Sequence, residues 1–112
     1  MNLKHYGDTL ILNNGRQIRM PAEVKKAVSV ENFIAVLLRV PEGMVSNDNI
    51  IFFSERNPEK RWKSADPYPD ETDSPFVNIE ESGHKITAYT WIGERITIEP
   101  ATGKILNRRE TK

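Results

Sequence analysis

The fold of this chain is decided by residues 76–106, which read FVNIEESGHKITAYTWIGERITIEPATGKIL. Short segments rich in β-branched and aromatic residues are separated here by turn signals at Ser82-Gly83, Gly93 and Pro100-Ala101-Thr102-Gly103. Between the turns apolar and polar residues alternate, so that Ile96 and Ile98, for example, fall on one face. Four strands at such short and regular spacing predict an antiparallel up-and-down meander.

Similar signals precede this stretch. The turn Asn13-Asn14-Gly15 predicts a hairpin near the N-terminus, because Asn and Gly adopt the positive φ angles that a tight turn requires. The most apolar run, residues 33–40, predicts a central strand that is buried on both faces. Residues 50–54 predict another apolar strand, and Asn57-Pro58-Glu59 predicts the turn after it.

Residues 22–30 predict a strand over their last few residues and leave the first turn open. Val24, Ala27 and Val28 share one helical face, which allows a short helical turn near residues 22–27, whereas Val28 and Val30 fit the period of a strand. With either outcome, residues 1–112 are expected to form a single all-β domain. It should be an antiparallel meander of about eight to ten short strands, arranged as one or two blade-like sheets in a sandwich or an open barrel.

Composition argues against several classes of function. The 16 basic and 16 acidic residues give zero formal net charge, whereas a nucleic-acid binder normally carries a basic excess. Cysteine is absent, which rules out disulfides and thiol chemistry. The first residues lack the apolar region of a signal peptide, and no apolar stretch is long enough for a membrane helix. We therefore expect a cytoplasmic protein that binds neither nucleic acid nor membrane.

Two stretches carry a resemblance. Residues 91–106 resemble blades of quinoprotein-type β-propellers in their order of Trp, Gly, a strand and Thr-Gly-Lys-Ile. Residues 49–53 followed by Lys60-Arg61-Trp62 resemble another part of such blades. The order of these phrases over residues 34–109 also resembles small single-domain bacterial proteins of unknown function. The resemblance implies blade-like sheets. A propeller ring needs about four blades and this chain holds at most two, so the cofactor on the ring axis is not expected here.

Catalytic and metal-binding patterns are missing from the sequence. His5 and His84 are the only imidazoles, and no serine lies in a Gly-x-Ser-x-Gly elbow. The four acids within residues 65–75 lack the spacing of a calcium-binding loop. The six glycines form no phosphate-binding motif. The sequence therefore predicts no enzyme, no metal and no cofactor.

Two groups of residues are candidate binding sites. The loop of residues 65–75 contains three prolines and four acids, and its candidate partner-binding residues are Asp66, Tyr68, Asp70, Glu71 and Asp73. Tyr68 either anchors an interface or folds back as a lid on the sheet. The second group is a possible aromatic cleft of Trp62, Tyr89 and Trp91. We expect a non-enzymatic domain that binds another protein, of the immunity or antagonist type, through the acidic loop; the alternative is a small-ligand-binding β domain.

Overall fold

The structure is a computed structural model that describes residues 2–70 and 72–110. The described residues contain no helix and form eleven strands: β1 (Lys4–Tyr6), β2 (Thr9–Ile11), β3 (Gln17–Arg19), β4 (Val24–Val30), β5 (Phe33–Leu38), β6 (Ile50–Ser54), β7 (Asn57–Lys63), β8 (Phe76–Ser82), β9 (Lys85–Thr90), β10 (Glu94–Ile98) and β11 (Ile105–Glu110). Every strand pairing is antiparallel. The predicted all-β antiparallel fold is confirmed.

The strands form three sheets, each of them a meander, instead of the one or two sheets predicted. The N-terminal sheet has the order β1-β2-β3, the central sheet β4-β5-β6-β7 and the C-terminal sheet β11-β10-β9-β8. None of them closes into a barrel within the described part of the chain. The hairpin at Asn13-Asn14-Gly15 and the four-strand meander after residue 75 both lie where the sequence predicts them.

The alternative of a helical turn near residues 22–27 is not realised, because Val24 begins strand β4. A bulge shifts the pairing between Val24 and Lys26. The extra residue brings the side chains of Val24 and Ala27, three positions apart, to the same face of a strand. That spacing imitates the period of a helix, which explains why the sequence left the question open.

The central sheet is packed on both faces. One face, which includes Val36 and Phe53, contacts apolar residues of the N-terminal sheet such as Leu10. The other face, which includes Leu37 and Phe52, contacts a row of buried residues from the C-terminal sheet: Phe76, Ile79, Ile86, Ala88, Ile96 and Ile98. Residues 34–38 are all buried, which confirms the central strand predicted from the most apolar run.

The turn predicted at Asn57-Pro58-Glu59 is wrong by two residues. The chain reverses at Glu55 and Arg56, and Asn57 already pairs with Ser54 at the start of β7. Proline lacks the N–H that an interior strand needs, but β7 lies at the edge of its sheet, where Pro58 is tolerated.

Candidate functional site

The acidic loop runs from the end of β7 to the start of β8 and contains no regular secondary structure in its described part. Short local hydrogen bonds shape it: a carboxylate oxygen of Asp66 accepts the backbone N–H of Tyr68 (2.7 Å), and one of Asp70 accepts the hydroxyl of Thr72 (2.9 Å). The side chains of Asp66, Asp70 and Asp73 are exposed, whereas Glu71 lies outside the described residues. The loop therefore offers three carboxylates to solvent.

Tyr68 is the part of the loop that turns inward. Its side chain is only 8% exposed, and its hydroxyl donates to Glu94 Oε1 (2.5 Å) and lies 3.0 Å from Thr90 Oγ1. The guanidinium of Arg108 lies over the ring, 5.2 Å from its centre, and donates to Pro67 O (2.8 Å). Of the two alternatives for Tyr68, the structure shows the lid.

The charges around Tyr68 stabilise one another. Hydrogen bonds from the guanidinium of Arg108 lower the pKa of Glu94, and the same contact raises the pKa of Arg108. Burial, followed by the hydrogen bond to Glu94, raises the pKa of Tyr68. The hydroxyl of Tyr68 is therefore protonated at neutral pH and remains a donor to the carboxylate.

The three aromatic residues of the predicted cleft do not come together. Trp62 packs edge-on against Phe33, with ring centres 5.9 Å apart, and its Nε1 donates to Pro100 O (2.9 Å) between the central and C-terminal sheets. The hydroxyl of Tyr89 donates to Glu80 on the outer face of the C-terminal sheet. Trp91 lies in the β9–β10 turn with 73% of its surface exposed. These positions belong to three different surroundings.

Trp91 is held at the end of the acidic loop by its backbone. Its N–H donates to Pro75 O (3.0 Å), and the N–H of Ile92 donates to Ser74 Oγ (3.1 Å). Ser74 is itself fully buried. The turn that carries the exposed indole is therefore fixed to the loop although the indole itself faces solvent.

Two buried asparagines fix the same loop from the other side. Asn47 accepts the N–H of Ser74 (2.9 Å) and donates to Thr72 O. Asn49 accepts the N–H of Phe76 (2.9 Å) and donates to Leu38 O and to Phe76 O. Sequence reasoning missed both residues. Their only signal was two asparagines immediately before an apolar strand, which a polar loop shows equally well.

The segment of residues 40–44 lies beside the Trp91 turn. Between them lies a groove of about 280 Å³, here called the Trp91 groove, which is lined by Val40, Pro41, Glu42, Gly43, Met44, Asp73, Pro75 and Trp91. Met44 is 58% exposed. The two charged lining residues, Glu42 and Asp73, are both acidic. The groove thus combines apolar side chains with an acidic border.

The described residues also bear on metal binding, histidine contacts and membrane-spanning helices. No three His, Asp or Glu side chains among them are grouped so that they could hold a metal ion. His84 is exposed and lies 3.5 Å from a carboxylate oxygen of Glu31. Within the same residues no helix is long and apolar enough to cross a membrane.

The fold is an all-β arrangement whose central sheet is covered on both faces. Its surface carries the Trp91 groove. The chain belongs to the family described as Domain of unknown function (DUF7957), whose family model matches residues 1–110. Neither the curated proteins nor the solved structures gave a match to it. The resemblance to quinoprotein-type blades stays a prediction.

Proposed function

We propose that this chain is a non-enzymatic protein-binding domain whose Trp91 groove takes a basic partner segment carrying an apolar side chain. One observation carries the proposal: the indole of Trp91 is 73% exposed although hydrogen bonds to residues 74 and 75 fix the turn beneath it. Tryptophan is enriched among residues that dominate binding energy. A fixed backbone also reduces the entropy lost on association.

The charge of the groove supports a basic partner. Glu42 and Asp73 line it, and none of its described lining residues is a lysine or an arginine. Asp66 and Asp70 add two exposed carboxylates along the same loop. Complementary charge of this kind speeds association and selects against acidic partners more than it adds affinity. We therefore propose the acidic loop as one part of the binding surface and Trp91, rather than Tyr68, as its aromatic anchor.

In its more specific form the proposal is an immunity- or antagonist-type protein of the bacterial cytoplasm, which binds one other protein and blocks it. The support is the acidic and apolar lining of the Trp91 groove beside the exposed carboxylates of the acidic loop. The alternative of a small-ligand-binding β domain would have to use a surface other than the predicted aromatic cleft, because Trp62, Tyr89 and Trp91 lie apart.

The experiment is a selection of random peptides displayed on phage against the intact chain. We expect enriched peptides to combine Lys or Arg with a large apolar residue, and to lose binding when Trp91→Ala replaces the wild type. Tyr6→Ala, which removes an exposed aromatic residue from the N-terminal sheet, is the matched control and should leave binding unchanged. Failure to enrich any sequence, or peptides that bind Trp91→Ala as well as wild type, would count against the proposal.

A further inference from the structure

The outer face of the C-terminal sheet is polar. Because Ile86, Ala88, Ile96 and Ile98 point into the core, the residues between them on β9 and β10 point outward. Together with neighbours from β8 and β11 they line a concavity of about 420 Å³: Glu80, Glu81, Ser82, Thr87, Tyr89, Arg95, Thr97, Asn107 and Arg109. All of these side chains are polar or charged, so the concavity is suited to a hydrophilic ligand rather than to an apolar one.

Two arginines lie side by side at one end of this concavity. Arg95 and Arg109 are directly opposite each other in the pairing of β10 with β11. Like charges in such positions repel and weaken a sheet. Arg19, Arg39 and Arg108 each pair with an acid. Neither Arg95 nor Arg109 forms an ion pair with any acid whose side chain the structure describes.

Arg95 is also half-buried, although its guanidinium donates no hydrogen bond to any residue whose side chain the structure describes. A guanidinium offers five N–H donors, and a pair of them matches the oxygens of one carboxylate or phosphate group. Two adjacent guanidiniums without a described acidic partner therefore present the donors that an anion requires, at a cost in stability that a bound anion would offset.

The rest of the concavity differs in charge and in donors. Thr87 and Thr97 face each other across β9 and β10, and neither hydroxyl has a described hydrogen-bond partner. The pairings place Glu80, Thr87, Thr97 and Asn107 in one row across the four strands, with Glu80 on β8 at one end and Asn107 on β11 at the other. Neighbouring strands are about 4.8 Å apart, so this acidic end lies roughly 10 Å from the strand that carries Arg95.

We propose that this concavity binds a small hydroxylated molecule with a single anionic group, such as a sugar phosphate or a sugar acid. Arg95 and Arg109 hold the phosphate or carboxylate, and Thr87 and Thr97 bond the hydroxyl groups. Glu80 repels negative charge at the opposite end, which disfavours long polyanions. This site is separate from the Trp91 groove, because the two share no lining residue.

The test is a titration of the isotope-labelled chain, followed by NMR, with glucose-6-phosphate, glucuronate, glucose and inorganic phosphate. We expect either the phosphate or the carboxylate sugar to shift the amide signals of Thr87, Arg95, Thr97 and Arg109, and the stronger of the two identifies the anion. Arg95→Gln with Arg109→Gln should weaken that binding by about tenfold or more, since charge-assisted hydrogen bonds are lost. Arg56→Gln, in the β6–β7 turn, is the matched control and should change nothing.

A second measurement protects the test against a folding defect. If Arg95 and Arg109 repel each other, Arg109→Gln without ligand should melt at the same temperature as the wild type or higher. The proposal is overturned if neither sugar anion shifts these signals, if inorganic phosphate alone binds equally well, or if the double variant keeps its affinity. It is also overturned if Arg109→Gln lowers the melting temperature, because the arginine pair would then have a structural role.

Discussion

The backbone N–H of Trp91 donates a hydrogen bond to the carbonyl oxygen of Pro75 at 3.0 Å. This contact joins the end of the acidic loop to the turn that exposes the largest apolar side chain of the surface. Asn47, which accepts the N–H of Ser74, joins the same end of the loop to the chain that follows the segment of residues 40–44. The groove is thus built from three separate stretches of chain, and the hydrogen bonds that hold the backbone of its turn distinguish Trp91 from an ordinary exposed residue.

The two tryptophans should respond differently to substitution. Trp91→Phe changes an exposed side chain and should leave the free energy of unfolding within about 0.5 kcal/mol of the wild type. Trp62→Phe removes the hydrogen bond to Pro100 O and part of a packed ring, and should cost about 1–3 kcal/mol. Urea denaturation measures both. Equal effects of the two substitutions would contradict the placement of Trp62 between the sheets.

Asn47→Ala should loosen the acidic loop. The buried N–H of Ser74 would lose its acceptor, which costs about 1–3 kcal/mol. Hydrogen exchange at Ser74 should accelerate, and peptides selected on the Trp91 groove should bind more weakly although Trp91 is unchanged. Asn13→Ala, an exposed asparagine of the β2–β3 turn, serves as the control. Unaltered exchange at Ser74 would show that Asn47 does not hold the loop.

Gly103→Ala tests whether the glycine of the Thr-Gly-Lys sequence is required by its close approach to the backbone of Lys63. Gly103 has φ of 77°, and an added Cβ would lie 2.4 Å from the backbone oxygen of Lys63. Both the conformation and the clash should destabilise the chain, by about 2 kcal/mol or more. Gly15→Ala meets nothing within 4 Å at φ of 85° and should cost only about 1 kcal/mol. Thermal unfolding of the two variants compares them, and a smaller loss for Gly103→Ala would refute the close approach.

The dependence of stability on pH should involve Glu94. Because Arg108 lowers the pKa of Glu94 in the folded chain below its usual 4.5, the contribution is complete above that pH and is lost as the pH falls through the folded pKa. Glu94→Gln should therefore be less stable at neutral pH and lose less stability on acidification. Part of the slope should persist, since Arg19 also lowers the pKa of Asp8. Denaturant unfolding between neutral pH and about pH 3 measures the slope, and an identical slope in Glu94→Gln would contradict the assignment.

The meander after residue 75 could be predicted from sequence because its information is local. Glycine turns and a two-residue alternation mark each strand, and the partner of each strand follows next in the chain. Residues 22–27 could not be assigned, since a bulge changed the alternation. Bulges depend on pairing with a second strand, so a single segment does not reveal them.

The candidate site depends on contacts that are distant in sequence, which is why only part of it could be predicted. The acidic loop was visible as composition. The inward position of Tyr68 depends on Thr90 and Glu94, which are 22 and 26 residues away. Met44 and Trp91 lie far apart in the sequence, and they line the same groove only in the folded chain. No local pattern encodes such a meeting.

The measurement closest to the central claim is a calorimetric titration of the wild-type chain, Trp91→Ala and Tyr6→Ala with the peptide that the display selection enriches most. A tryptophan that dominates binding contributes about 2 kcal/mol or more, so Trp91→Ala should bind about 30-fold more weakly. Tyr6→Ala should match the wild type, and added salt should weaken wild-type binding because Glu42 and Asp73 border the groove. Equal affinity of wild type and Trp91→Ala would contradict the claim that the Trp91 groove is the binding surface.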